Sequence, residues 1–176
     1  MGVASGTITS HDDWWSVGAD MAGMGASAPS DAAVWPTANL ALYVPFYVPE
    51  TIIIKRVFWS NGSTVSGNVD MGIYDDAGTR IASTGSTAQS GTTAPQTVAL
   101  AATLTAGMYY LGLAMDNISG RITRATGGTG GIGILVATGM VQEASAFPLP
   151  NPATFAALTT NYMPLFGVML RSGTVI

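Results

Sequence analysis

Two segments of the chain alternate between apolar residues and small or polar ones, and this period of two limits them to β-structure. In residues 67–74, "GNVDMGIY", Val69, Met71 and Ile73 fall on one face of an extended strand. Residues 107–115, "GMYYLGLAM", alternate in the same way. Since an amphipathic helix repeats its apolar residues every three to four positions, neither segment fits a helix. Both segments predict half-buried strands.

Further short segments are rich in β-branched and aromatic residues. They are 39–48, 51–60, 79–83, 96–104, 131–139 and 164–170. Turn sequences separate the strands, such as Asn61-Gly62 and the "DDAG" of residues 75–78. The best helix candidate is the segment 152–162, with Asn151 as its cap. About eight strands without alternating helices predict an all-β fold, an antiparallel β-sandwich that is jelly-roll-like.

The two ends of the predicted sandwich differ from its middle. Residues 1–38 lack a clear period and are rich in Gly, Ala and Ser, so we expect an irregular N-terminal arm before a sandwich domain at 39–176. A Pro-rich irregular segment at 143–163 interrupts that domain. Disordered tails are poor in aromatic residues, yet the arm carries three tryptophans. We therefore expect it to pack, either on its own sandwich or on a neighbouring molecule.

The protein has few charged residues to place on its surface. Charged residues are 9% of the chain, against about 25% in an ordinary domain, while hydrophobic residues reach 48%. A surface of this kind resists self-association poorly. Two interpretations stay open: an assembly that covers much of the surface, or an extracellular β-domain with a neutral, Thr-rich surface.

Several functional classes have little support in the composition. The net charge is −4 and the six basic residues are scattered, so nucleic-acid binding is not expected. The N-terminus lacks a basic region followed by an apolar run, so we expect no secretion signal. Uncharged stretches contain many Ser, Thr and Gly residues, so we expect no membrane span. Cysteine is absent, which excludes disulfides and thiolate chemistry.

Three carboxylates lie close together in the sequence, at Asp70, Asp75 and Asp76. Asp70 and Asp76 lie at opposite ends of one predicted strand, roughly 20 Å apart at about 3.3 Å per residue, too far for a glycosidase pair. Asp75 and Asp76 fit a hairpin turn, where short Asp side chains accept backbone hydrogen bonds. Asp70 is predicted to face solvent or a partner. A calcium site at this hairpin is the alternative interpretation.

Two other motifs resemble functional sites without their required context. Gly128, Gly130 and Gly133 match G-x-G-x-x-G, but β-branched residues follow, so we interpret the motif as a loop that enters a strand. The single histidine, His11, precedes Asp12 and Asp13, and a zinc site would need further ligands. The Asn-x-Ser sequences at Asn61 and Asn117 are interpreted as turns. The sequence predicts no catalytic residue, no metal site and no cofactor.

Aromatic residues supply the candidate contacts with a partner. Phe58 and Trp59 are adjacent in a predicted strand, as are Tyr109 and Tyr110, so one of each pair should lie outside the core. Aromatic anchors with a charged rim are typical of interface hot spots. The candidate interface residues are Trp14, Trp15, Trp35, Trp59 and Tyr110. An interface and a sugar-binding face both stay open.

Three segments resemble small structural proteins of tailed bacteriophage virions, of the tail-fibre, head-fibre and capsid-decoration types. They are "PTANLALYVPFYV", "GNVDMGIYDDAGTRIASTGS" and "LTAGMYYLGLAMD", and together they cover roughly residues 36–116. The motifs mark turns and core, so the resemblance carries over no functional residue. It implies a jelly-roll-like domain that assembles with three-fold symmetry.

We therefore expect a non-catalytic virion structural protein that decorates the capsid or forms part of a fibre or spike. Its expected partners are two further copies of itself and other proteins of the capsid or tail. The expected location is the virion, after assembly in the cytoplasm of a bacterial host. The alternative is a carbohydrate-binding module that recognises a glycan of the host cell surface with exposed Trp or Tyr side chains. An enzyme has almost no support.

Overall fold

The computed structural model describes residues 34–125 and 131–170 in full, together with the backbone of Trp14–Ser16. Thirteen strands and one short helix lie in these ranges. The strands are β1 Trp14–Ser16, β2 Ala41–Val48, β3 Ile52–Ser60, β4 Asn68–Asp75, β5 Arg80–Ser83, β6 Thr87–Ala88, β7 Pro95–Leu104, β8 Gly107–Met115, β9 Arg124–Ala125, β10 Val141–Glu143, β11 Ala156–Ala157, β12 Met163–Pro164 and β13 Phe166–Met169. The helix α1 spans Ile132–Ala137.

The strands form two main antiparallel sheets. The smaller sheet has the order β1-β13-β3-β7. The larger sheet has the order β11-β10-β2-β8-β4-β5, and β6 also pairs with β4. A two-residue ladder joins β9 to β12. The sheets pack against each other, so the prediction of an all-β antiparallel sandwich is confirmed.

The main core lies between the two sheets and contains the apolar faces predicted from the alternating segments. Val69, Met71 and Ile73 of β4 are fully buried there, next to Leu111 and Leu113 of β8. The pleat of a strand sends successive side chains to opposite faces, which explains why every second residue enters the core.

The only helix of the described ranges lies where a strand was predicted, within residues 131–139. Leu135 is its one buried residue, and a glycine with positive φ lies on each side, Gly131 and Gly139. The β-branched residues of this segment favour a strand only where their side chains can pack on the surface of a sheet. The helix predicted at 152–162 is absent as well. Asn151 does not cap a helix, because its side-chain Oδ1 accepts a hydrogen bond from the backbone N–H of Arg80 at 3.0 Å.

Parts of the predicted arm belong to the sandwich itself. The backbone of Trp14–Ser16 forms the edge strand β1, paired with β13. Trp35 is fully buried in the main core, where its indole N–H donates to the Leu40 carbonyl at 3.1 Å. Its ring meets Tyr162 edge-on, with centroids 5.2 Å apart. The sandwich therefore begins before residue 39.

Candidate functional site on the outer face of the larger sheet

The face of the larger sheet that points away from the main core carries a line of aromatic side chains. The register pairs Tyr43 of β2 with Gly112 of β8, and Tyr47 of β2 with Met108 of β8. Because side chains two residues apart share a face, these residues lie on one surface with Tyr74 of β4. This surface is buried at one end and open at the other.

An irregular segment, residues 146–155, crosses the buried end, and we call it the strap. Hydrogen bonds to its backbone hold it to the sheet and its hairpins. The strap donates from Ala146 to Asn39 O at 2.6 Å, from Leu149 to Asp70 Oδ2 at 2.9 Å and from Ala153 to Gly78 O at 2.8 Å, and it accepts at Pro150 O from the Tyr74 hydroxyl at 2.7 Å. The Arg80 guanidinium also donates to the Leu149 carbonyl. The strap thus covers polar and aromatic groups that would otherwise face solvent.

A second, smaller core lies between the strap and the sheet. The ring of Tyr43 meets Tyr74 edge-on at 5.3 Å and Phe155 at 5.1 Å. Gly72 and Gly112 are paired across β4 and β8, directly beneath these rings. A Cβ atom on Gly112 would lie 2.8 Å from the Tyr43 ring, so glycine is required here for close approach.

The polar groups of the second core are hydrogen-bonded. The Tyr43 hydroxyl donates to Glu143 Oε2 at 3.0 Å, and the Thr154 N–H donates to the same oxygen at 3.0 Å. Burial raises the pKa of Tyr43 well above its ordinary value of 10, and the neighbouring Tyr74 and Glu143 raise it further. Burial likewise raises the pKa of Tyr74. Both phenols therefore stay neutral donors at physiological pH.

Asp70 lies beneath the strap, and the prediction that it faces solvent or a partner is wrong. The side chain is fully buried and accepts hydrogen bonds from the Leu149 N–H and from the Thr84 hydroxyl at 3.3 Å. The alternation of β4 is as predicted, but the strap turns the outer face into a second interior. Burial raises the pKa of Asp70, while the hydrogen bonds and the charge of Arg80 oppose that shift.

The interpretation of Asp75 and Asp76 as a hairpin turn is confirmed. Asp75 Oδ1 accepts the N–H of Ala77 at 3.1 Å and that of Thr79 at 2.7 Å. Gly78 has a φ of 85°, which glycine adopts without strain. Within the described ranges no group of three or more His, Asp or Glu side chains is placed to hold a metal ion.

Two of the predicted interface residues lie in the main core instead. Trp35 and Trp59 are fully buried, and the Trp59 indole N–H donates to Asn61 Oδ1 at 2.9 Å. They offer no surface to a partner, because burying the large indole rings stabilises the sandwich itself. Phe58 points to the opposite face of β3 and lies outside both hydrophobic clusters, but it is only 9% exposed and offers little surface to a partner.

Tyr110 is half-buried, with its ring tilted against Phe155 at a centroid distance of 4.5 Å, while Tyr109 is buried in the main core. The side chains of Trp14 and Trp15 lie outside the described residues, so their predicted interface role stays a prediction. His11, Asp12, Asp13 and the loop glycines Gly128 and Gly130 also lie outside them.

The open end of the outer face was not found from the sequence. Tyr47 is 56% exposed and Met108 is 45% exposed, and the two side chains are direct register partners. Pro45 and Tyr110 form the next pair toward the strap. We call these four residues the open platform. The alternation of Val44, Phe46 and Val48 into the core was the sequence signal that Tyr47 points outward.

Two members of the open platform contact residues of neighbouring segments. Phe155 of the strap packs against Tyr110, with the two ring planes tilted by 43°. Gly139, after helix α1, lies so close to Pro45 that a Cβ atom there would be 3.1 Å from the proline ring. The platform is therefore a patch two strands wide that presents apolar side chains and phenol hydroxyls.

No family model, no curated protein and no solved structure matches the chain. In the ranges that the structure describes, no helix is long and apolar enough to cross a membrane.

Proposed function

We propose that the protein is a non-catalytic structural component of a bacteriophage virion, an oligomeric β-sandwich that decorates the particle as a capsid-decoration protein or as part of a fibre or spike. The resemblance of residues 36–116 to such proteins is one support. The fold is compatible with this role, because a rigid antiparallel sandwich needs no cofactor or disulfide for its core.

The observation that carries the proposal is the exposure of large apolar side chains in a chain with only 9% charged residues. The exposed residues outside the open platform are Val34, Ile53, Ile81, Ile118 and Val136. Single exposed apolar residues are normal, but a surface this poor in charge resists association weakly. In the proposed assembly, these side chains are buried between copies of the chain or against other virion proteins.

The carboxylates of the outer face support the non-catalytic part of the proposal. Asp70 is buried beneath the strap, and Glu143 is engaged by Tyr43 and Thr154. A general acid or base must reach the proton that it transfers. In these positions, both carboxylates act as hydrogen-bond acceptors that fasten the strap.

The number of copies in the oligomer comes from the resemblance, which implies three-fold symmetry. Closed cyclic symmetry also limits the growth of open fibres from uncharged edge strands. The ten residues of β7 carry no charge and form one edge of the smaller sheet. A closed assembly that covers such an edge prevents its indefinite pairing with further molecules.

Light scattering coupled to gel filtration tests the oligomer with the purified full chain at micromolar concentration. We expect three times the chain mass of 18.0 kDa. A stable monomer that does not associate when concentrated would contradict the oligomer. Mass spectrometry of gradient-purified particles tests the location, and we expect a fixed copy number per particle after a high-salt wash. Particles that lack the protein would overturn the virion role.

A further inference from the structure

We propose that the open platform, Pro45, Tyr47, Met108 and Tyr110, is a binding site for a neutral carbohydrate, on which one or two sugar rings stack. This inference goes beyond the assembly role and does not depend on it. The exposed pair Tyr47 and Met108 carries the proposal together with the neighbouring Tyr110, whose ring packs against Phe155.

The size of the platform favours a small ligand over a second copy of the chain. Adjacent strands lie about 4.8 Å apart and alternate residues about 6.6 Å apart along a strand, so two pairs of side chains span little more than a hexose unit or two. A stable protein interface covers about 800 Å² on each partner, whereas a whole aromatic side chain buries about 150–250 Å². Tyr47 and Met108 alone are therefore too small for such an interface.

The chemistry of the platform matches the apolar face of a neutral sugar. Its four side chains carry no charge, so they offer neither a cation to an acidic glycan nor an anion to an amine. A pyranose ring presents a face of C–H groups that packs on an aromatic ring, while its hydroxyls form hydrogen bonds at the rim. Tyrosine supplies both an apolar ring and a polar hydroxyl for these contacts.

The platform is also held in place before any ligand arrives. The ring of Tyr110 is supported by Phe155, which itself packs on the buried Tyr43. Pro45 has a fixed φ and lies against Gly139. Binding to such a surface orders few side chains, because Tyr47 and Met108 are its two exposed members. The entropic cost of binding is correspondingly small.

An array of immobilised neutral oligosaccharides, with sialylated and sulfated glycans as charged controls, tests the site in the full chain. We expect binding to at least one neutral glycan and none to the charged controls. Calorimetry with that glycan then compares three variants. Tyr47→Ala should raise the Kd at least tenfold, Tyr47→Phe less than threefold, and Ile53→Ala, an exposed residue of the other sheet, should not change it.

Circular dichroism and a thermal melt establish that each variant is folded, which we expect because Tyr47 and Ile53 are exposed. The proposal is overturned if no neutral glycan binds, or if Tyr47→Ala binds as tightly as the wild type. Light scattering on the same variants separates this result from the assembly role. If Tyr47→Ala dissociates the oligomer, the platform is a subunit contact and the carbohydrate site is wrong.

Discussion

Asn61 connects three segments of the chain through one side-chain amide. Its Oδ1 accepts hydrogen bonds from the indole of Trp59 and from Gln89, both at 2.9 Å. Its Nδ2 donates to the Ser90 carbonyl at 2.6 Å and to Gln96 Oε1 at 3.2 Å. The residue is fully buried, so each of these bonds replaces a bond to water. The interpretation as a turn residue missed this role, because the three partners other than Trp59 are distant in sequence.

Replacement of Asn61 by alanine is expected to destabilise the fold by about 2–4 kcal/mol, because each buried polar group left without a partner costs about 1–3 kcal/mol. Urea unfolding of the full chain measures the change. Gln142→Ala is the matched control, since its amide pairs with Thr159 at an exposed position. We expect that control to cost less than about 1 kcal/mol. Equal losses of unfolding free energy in the two variants would contradict the stabilising role of the Asn61 hydrogen bonds.

Asp70 gives the stability of the protein a specific dependence on pH. Burial raises its pKa in the folded chain, whereas in the unfolded chain an aspartate titrates near about 3.9. The folded state therefore takes up the proton more readily than the unfolded state. The contribution of Asp70 to the free energy of unfolding is greatest below pH ~4 and falls as the pH rises through the folded-state pKa.

The variant Asp70→Asn removes this titration and keeps an oxygen that accepts the Leu149 N–H. We expect the free energy of unfolding of the wild type, relative to this variant, to fall as the pH increases from ~4 to ~7. Urea unfolding at a series of pH values measures the difference. Asp76→Asn, which removes an exposed carboxylate, controls for net charge. Parallel pH profiles of wild type and Asp70→Asn would show that the prediction is wrong.

The strap depends on the pair of glycines beneath it. Gly72 and Gly112 leave room for the rings of Tyr43 and Tyr74 between the sheet and the strap. A methyl group on Gly112 meets the buried Tyr43 ring, which Tyr74 and Phe155 hold from two sides. The ring cannot move without displacing the strap, so these glycines set how closely it approaches the sheet.

Gly112→Ala is expected to destabilise the protein by about 1–3 kcal/mol, as overpacking of a filled interior does. Gly133→Ala is the matched control, because a Cβ atom there meets nothing and lies within helix α1. That control should gain about 0.5–1 kcal/mol from helix propensity. Urea unfolding gives both values, and amide exchange at Leu149 and Ala153 reports release of the strap. Unchanged amide exchange at these two residues in Gly112→Ala would contradict the close packing of the strap over the glycine pair.

The long strands could be predicted from the sequence because each has its own pattern of apolar and polar residues. Residues 107–115 of β8 match the prediction, because every second side chain of this strand packs in the main core. The strap could not be predicted. It has no period, and its hydrogen bonds go to Asn39, Asp70 and Gly78, far away in the chain. Helix α1 was missed because its sequence is β-branched and its environment, not its propensity, determines its structure.

The whole sandwich includes more of the N-terminal region than the composition indicated. Trp35 joins the main core, and Trp14–Ser16 adds an edge strand to the smaller sheet. The predicted arm therefore contributes both to the interior and to the edge of the same domain. Truncations must be designed around Trp35 rather than around the change in composition near residue 38.

Removal of residues 1–35 is expected to cost about 3–5 kcal/mol more than removal of residues 1–33, because the longer deletion also removes the buried Trp35. Val34, the other residue that distinguishes them, is exposed and contributes little. Urea unfolding compares the two proteins. Trp35→Ala in the full chain should show a loss of the same size. Equal stabilities of the two truncations would place Trp35 outside the core.

The position of β13 between β1 and β3 has a consequence for synthesis on the ribosome. The strands β2, β4 and β8 of the larger sheet are complete once Met115 has been made. The residues that pair with β3 on its other side follow about 110 residues after it. Until translation reaches them, the nascent chain carries an unpaired edge in its smaller sheet. The order of translation therefore makes the synthesis of β13 the step that protects newly made molecules from pairing with each other on a polysome.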